Sequence, residues 1–217
     1  MRRLKDVLFF TLAGLGIVIG LLLVFSPWVK GFLVERQVRA FDLDGFSAAE
    51  LAENQRLAGD VPWDDDIALP DFGVVMWNFG QVDRQDVLGA ISIPDLGVNI
   101  PILNGTTTRN LLAGATTVNP GQVMGQGNYV LAGHHMPNGN LLFGPLLDAE
   151  LGMMVEVTDR THVYRFEVVE MKLVNETDFS ILTDSNEPVL TLFTCDVPGN
   201  TPLRWVVVAE LREEGDF

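Results

Sequence analysis

The hydrophobic positions of this chain fall into two unlike patterns. Val7 to Trp28 reads VLFFTLAGLGIVIGLLLVFSPW without one charged residue. At ~1.5 Å of rise per helical residue, such a run covers the ~30 Å apolar core of a bilayer, and it predicts a membrane-spanning helix. It ends in bulky Pro27-Trp28 rather than a small-x-small cleavage site, which favours an uncleaved anchor over a signal peptide. From Val87 onward the apolar runs are short and separated by turn residues: LGAISIP, VNIPIL, GNYVLAGHH, MMVEVTD, HVYRFEVVEMKLV, PVLTLFTC and LRWVVVAEL. In one of them Val163, Arg165 and Glu167 alternate with Tyr164, Phe166 and Val168, the period of two expected of a half-buried strand. Asn104-Gly105, Asn138-Gly139 and Pro198-Gly199-Asn200 supply turns between the runs. Many strands with short helical pieces, around Arg109–Ala113 and Leu141–Leu147, predict a mainly β domain closed or nearly closed into a barrel.

The stretch between these patterns is mixed. Lys30 to Ala40 combines charged and apolar residues and either extends the first helix or leads away from it. Ser47-Ala-Ala-Glu50 has the form of a capping box, in which Ser47 accepts from a first-turn N–H and Glu50 reaches back, so a short helix is expected through about Leu57. Asp60 to Asp71, with Pro62, an Asp64–Asp66 run and Pro70, shows no hydrophobic period and reads as a linker. The expected organisation is a tail at 1–6, an anchor at 7–28, a stalk or helical linker at 29–86 and the β domain at 87–217.

Charge narrows the function classes. Of the 217 residues, 14 are Lys or Arg and 29 are Asp or Glu, and six of the basic ones lie in the first 40 positions. Residues 41–217 therefore carry 8 basic against 27 acidic side chains, a net of −19. Such a surface repels nucleic acid, which is excluded as a partner. The basic residues flanking the anchor, Arg2, Arg3 and Lys5 before it and Lys30, Arg36 and Arg39 after it, lean towards a cytoplasmic N-terminus and an external β domain.

Cys195 is the only cysteine. Beyond a membrane it has no internal disulfide partner, and it is either a small buried hydrophobe or a thiol with a chemical use. A thiol becomes a nucleophile when a cation stabilises its thiolate and a base or acid manages the leaving group's proton. The three histidines are candidates: His134 and His135 end the GNYVLAGHH run, and His162 begins another. Cys195 ends its own run, and Leu203-Arg204 opens the next after a short loop. If the two strands are antiparallel neighbours, Arg204 lies beside Cys195, where its planar guanidinium can hold an acyl carbonyl or steady an oxyanion.

Leu131-Ala-Gly-His134, Thr191-Leu-Phe-Thr-Cys195 and the following Arg204, with Leu88-Gly-Ala-Ile-Ser-Ile-Pro94 and Ile100-Pro-Ile-Leu-Asn-Gly105, resemble the class A sortases over most of residues 88–211. The resemblance implies an eight-stranded sortase-type β-barrel outside a Gram-positive cell membrane. It implies a cysteine transpeptidase that cuts Leu-Pro-x-Thr-Gly sorting signals of secreted proteins between Thr and Gly and transfers them to an amine of the cell-wall precursor lipid II. Cys195 is then the nucleophile, His134 the proton carrier and Arg204 the substrate clamp. Ala132, Phe193 and Thr194 flank them as groove residues, and Leu173 to Glu187 corresponds to the loop that selects the Leu-Pro part. The first histidine of the motif is the catalytic one, and strand alternation turns His135 to the opposite face; His162 is expected at the surface. No cofactor is expected, and no calcium site, because Gly114 to Val130 contains no Asp or Glu. The rival readings are a pilin-polymerising sortase and a non-catalytic membrane-anchored β domain. Pro62-Trp63 resembles part of the lid of pilin-polymerising sortases but lacks the Asp that usually precedes it.

Overall fold

The computed structural model describes residues 2–59, 61–64 and 66–217. Met1 of the expected tail and Asp60 and Asp65 of the expected linker lie outside them, as do the side chains of residues 2–8, Val18, Leu22 and Leu23.

The first helix, α1 (Arg2–Ala40), runs well past the apolar stretch and is bent. Its parts Phe9–Leu21 and Val24–Ala40 meet at 50°, and together they have the length and composition to cross a membrane, whereas no single described helix does. Pro27 explains the break: it cannot donate to the carbonyl of Leu23, and its ring crowds that oxygen. The far end of α1 belongs to the folded domain. Val34 is buried with Val75, Leu112, Met136 and Leu142, and the Gln37 side-chain oxygen accepts from the Gly80 N–H at 3.1 Å.

Two more helices complete this N-terminal layer. In α2 (Ala48–Leu57) the Ser47 hydroxyl accepts from the Glu50 N–H at 3.2 Å, which is half of the expected capping box. The other half is present too: the Glu50 carboxylate accepts from the Ser47 backbone N–H, and it also forms an ion pair with Arg84 at 2.8 Å. Leu51 is fully buried, and Asn54 donates to the carbonyls of Arg84 and Val87, so α2 is docked on the domain rather than forming a free stalk. The third helix, α3 (Phe72–Asn78), is not apparent from the hydrophobic pattern; Asp71 caps it by accepting from the Val74 N–H at 2.8 Å.

The barrel contains β1 (Val87–Ile93), β2 (Val98–Leu103), β3 (Ala115–Thr117), β4 (Asn128–Ala132), β5 (Met154–Thr158), β6 (His162–Asn175), β7 (Val189–Cys195) and β8 (Leu203–Asp216). It closes in the order β1-β2-β3-β4-β7-β8-β6-β5. The pairs β2/β3 and β4/β7 are parallel and the rest antiparallel. Seven of these strands match the apolar runs, while β3 spans only three residues, too few to show a period. Ile91, Ile102, Leu131, Phe166, Leu190, Leu192 and Val207 fill the interior. The alternation expected along β6 is broken: Val163 is buried together with Phe166 and Val168, because the ladder to β8 shifts register between Arg165 and Phe166. The expected helical pieces are α4 (Thr108–Leu111) and a 3-10 helix at Gly144–Asp148. The loop expected at Leu173–Glu187 is shorter at its start, since β6 continues to Asn175.

Candidate active site

Strand register assembles the candidate residues. Each β4 residue pairs with the β7 residue 61 positions later, from Asn128↔Val189 to Ala132↔Phe193. His134 and Cys195 each lie two residues beyond the last pair. On the other side of β7, Cys195 pairs directly with Arg204 of β8. Adjacent strands lie about 4.8 Å apart, so Cys195 and Arg204 sit side by side in one row, and His134 follows the end of β4 into the same cleft. All three line a cleft of about 370 Å³ at this end of the barrel, and Ala132, Phe193 and Thr194 line it with them.

Three bonds hold β4 to β7 past the end of their ladder. The Gly133 N–H donates to the Phe193 carbonyl at 3.1 Å, and the buried Thr194 hydroxyl donates to the Gly133 carbonyl at 2.8 Å. The third is the His135 Nδ1–H, which donates to the Cys195 carbonyl at 2.9 Å and so carries the ring proton. Gly133 must be glycine here, because a Cβ would come within 2.5 Å of the Phe143 ring. Strand alternation would turn His135 away from His134. However, β4 ends at Ala132, the pleat lapses, and both histidines face the cleft. They differ in surroundings. His134 is only 9% exposed and its Nε2 has no hydrogen-bond partner among the described residues. His162 begins β6 away from the cleft, partly exposed, with Nδ1 3.9 Å from Asp159.

The remaining walls come from loops. Ile181 and Leu182 stand on the β6–β7 loop, and Leu111 and Val118 face them. Trp63, Ile67, Leu69 and Pro70 also line the cleft, so the segment read as a linker lies across it. It is tied there by a bridge from Trp63 to Thr106 and by the Asp64 carboxylate, which accepts from the Thr108 N–H at 2.7 Å in the first turn of α4. Three carboxylates of the β6–β7 loop are separately engaged. Glu176 meets Arg204, Asp178 accepts from the Ser180 N–H, and Asp184 accepts from Asn128 and Ser185.

A protein-family model described as the sortase domain matches residues 91–212. Sortase A of Listeria monocytogenes is 37% identical over 204 residues, 94% of this chain and 91% of that protein. Sortase A of Bacillus anthracis is 29% identical over 194 residues, covering 89% and 90% of the two chains. The crystal structure of the Listeria monocytogenes sortase A superposes with a TM-score of 0.60 at 42% identity, over 61% of this chain and 91% of that one. The chain belongs to the sortase family.

As a sortase it is a cysteine transpeptidase, and the charges around its thiol bear on how such a reaction starts. Burial pushes the Cys195 thiol above its ordinary pKa; the neighbouring Arg204 guanidinium opposes this, while Asp196 and Glu176 add to it. Burial lowers His134 to about 4. In the unliganded sortase both groups are therefore neutral near pH 7, a thiol beside an imidazole. Arg204 is the one cation of the row. Its Nη1 donates to the carbonyls of Thr201 at 2.7 Å and Leu203 at 3.0 Å, and its Nη2 donates to Glu176 at 2.8 Å.

Proposed function

We propose that this sortase cleaves Leu-Pro-x-Thr-Gly signals between Thr and Gly and passes the acyl group to a cell-wall amine such as that of lipid II, with Cys195, His134 and Arg204 as its catalytic residues. The observation that carries this reading is the convergence of thiol, imidazole and guanidinium on one largely apolar cleft. Ile181, Leu182, Leu111 and Val118 offer apolar contact for the Leu-Pro part, and Ala132, Phe193 and Thr194 border the Thr end.

The chemistry follows from the protonation states. His134 takes the Cys195 proton as the sulfur attacks the Thr carbonyl, and the resulting imidazolium gives that proton to the departing glycine amine. A thioester remains on Cys195. The incoming amine loses its proton to His134 while it attacks the thioester, and the sulfur recovers that proton as product leaves. Arg204 donates N–H groups to the carbonyl oxygen at both stages, where negative charge develops. Transpeptidation needs no calcium in this reading. The apolar stretch Val7–Trp28, which runs through the bend of α1, anchors the enzyme as a single pass, N-terminus cytoplasmic and barrel outside, facing secreted substrates.

The test uses the full chain in detergent, because α1 and α2 contribute buried residues to the domain. A quenched Leu-Pro-x-Thr-Gly peptide with an added amine should be cleaved and transferred with or without chelator. Cys195→Ala should fall by at least ~10³-fold. Equal turnover by the two proteins overturns the mechanism, and loss of activity on chelation overturns calcium independence.

A further inference from the structure

The β6/β8 ladder puts an acidic residue on the catalytic row. Val174 pairs with Arg204 and Asn175 with Leu203, and the Glu176 N–H continues the pattern by donating to the Pro202 carbonyl at 2.7 Å. Glu176 therefore stands two residues beyond the partner of Arg204, a diagonal neighbour on the same face of the sheet. Its backbone is bonded there, while its side chain is 46% exposed and meets the Arg204 guanidinium at 2.8 Å.

We propose that Glu176 is a positioning residue that acts on catalysis through Arg204, clamping the guanidinium in the empty enzyme and releasing it to the substrate carbonyl. The inference rests on the roles of Cys195 and Arg204 given above. The Thr201 and Leu203 carbonyls hold Nη1, and Glu176 holds Nη2. What Glu176 adds is a negative charge beside the site where negative charge must develop, first on sulfur and then on the carbonyl oxygen. It restrains the empty site and yields when the acyl oxygen competes for Nη2.

The groups facing Cys195 are few. Arg204 comes from β8, Asp196 from the same chain segment, His134 and His135 from the end of β4, and Glu176 from the β6–β7 loop. Asp178 also lines the cleft but is engaged at the Ser180 N–H. Of the acidic ones among the described residues, only Glu176 pairs with Arg204. Asp196 accepts from the Thr201 hydroxyl at 2.6 Å.

Alkylation of Cys195 by neutral iodoacetamide, followed against pH in the full chain, reads the thiolate directly and needs no peptide. Glu176→Gln should lower the pH midpoint and raise the rate at pH 7 by about 2–5-fold, the range of a partly exposed charge pair. The gain should shrink in 1 M salt, where the Debye length is about 3 Å. It should also be smaller in an Arg204→Gln background, where Glu176 is no longer held in the cleft, and Glu176→Asp should return part of the restraint. An unchanged or higher midpoint, or the same gain in both arginine backgrounds, overturns the proposal. If alkylation behaves as expected while no sorting peptide is cleaved, the clamp stands and the substrate reading fails.

Discussion

The cleft has two walls made in different ways. On one side the β7/β8 ladder sets Cys195 against Arg204, and the Gly133 backbone bond to Phe193 carries His134 to the same end of the barrel. On the other side the β6–β7 loop and the segment carrying Trp63 and Asp64 have isolated backbone bonds, to Pro202 and Thr106, and otherwise rely on side chains, such as Asp184 on Asn128 and Asp64 on Thr108. The difference separates two tasks. Bond making needs positions fixed to fractions of an ångström, which a ladder supplies. Recognition tolerates, and regulation requires, a wall whose contacts can be exchanged one side chain at a time.

The ladder wall should show the larger effects. Burial depresses His134 from 6.5 to about 4, so in that interval the unfolded chain binds a proton that the folded chain excludes. Stability from this group is complete above about pH 6.5, is lost as the pH falls towards 4, and changes no further below. The loss amounts to at most about 3 kcal/mol, and urea unfolding at pH 7.5, 5.5 and 4 should show a slope that His134→Gln flattens. Equal slopes would mean that the imidazole is wetter than its burial indicates. Next in size is Arg204→Lys, which keeps the charge but loses the forked geometry that two carbonyls and a carboxylate now hold. Peptide turnover should drop about 10–100-fold with the fold intact by circular dichroism. A lysine enzyme of full activity would reduce the arginine's part to charge alone. The loop wall should respond least: Trp63 is 53% exposed, and Trp63→Ala should change the KM for peptide by no more than ~3-fold and leave kcat alone. A large fall in kcat would erase the distinction between the two walls.

The same contrast explains what could be read without coordinates. Apolar runs and turn dipeptides outlined seven strands, and the pairing of the β7 end with the β8 start followed from a short loop between them. Three residues of β3 carry no period, and the bulge between Arg165 and Phe166 reverses an alternation that looked regular. His135 escaped because alternation was extended past Ala132, where the strand had ended. Glu176 escaped for a deeper reason. It is 28 positions from Arg204, and only the register of β6 against β8 brings the two together. Local pattern reveals elements and motifs, whereas contacts between loop and strand depend on offsets that no local pattern encodes.

The bent helix α1 has a mechanical consequence. Val34 is a core residue and Gln37 is bonded into the domain, so the helix and the barrel share material instead of being joined by a string. A domain on a flexible tether sweeps a volume and meets partners in any pose. A domain whose first helix ends inside its own packing moves with that end as one body, and the break between Leu21 and Val24 is where the apolar part departs from it.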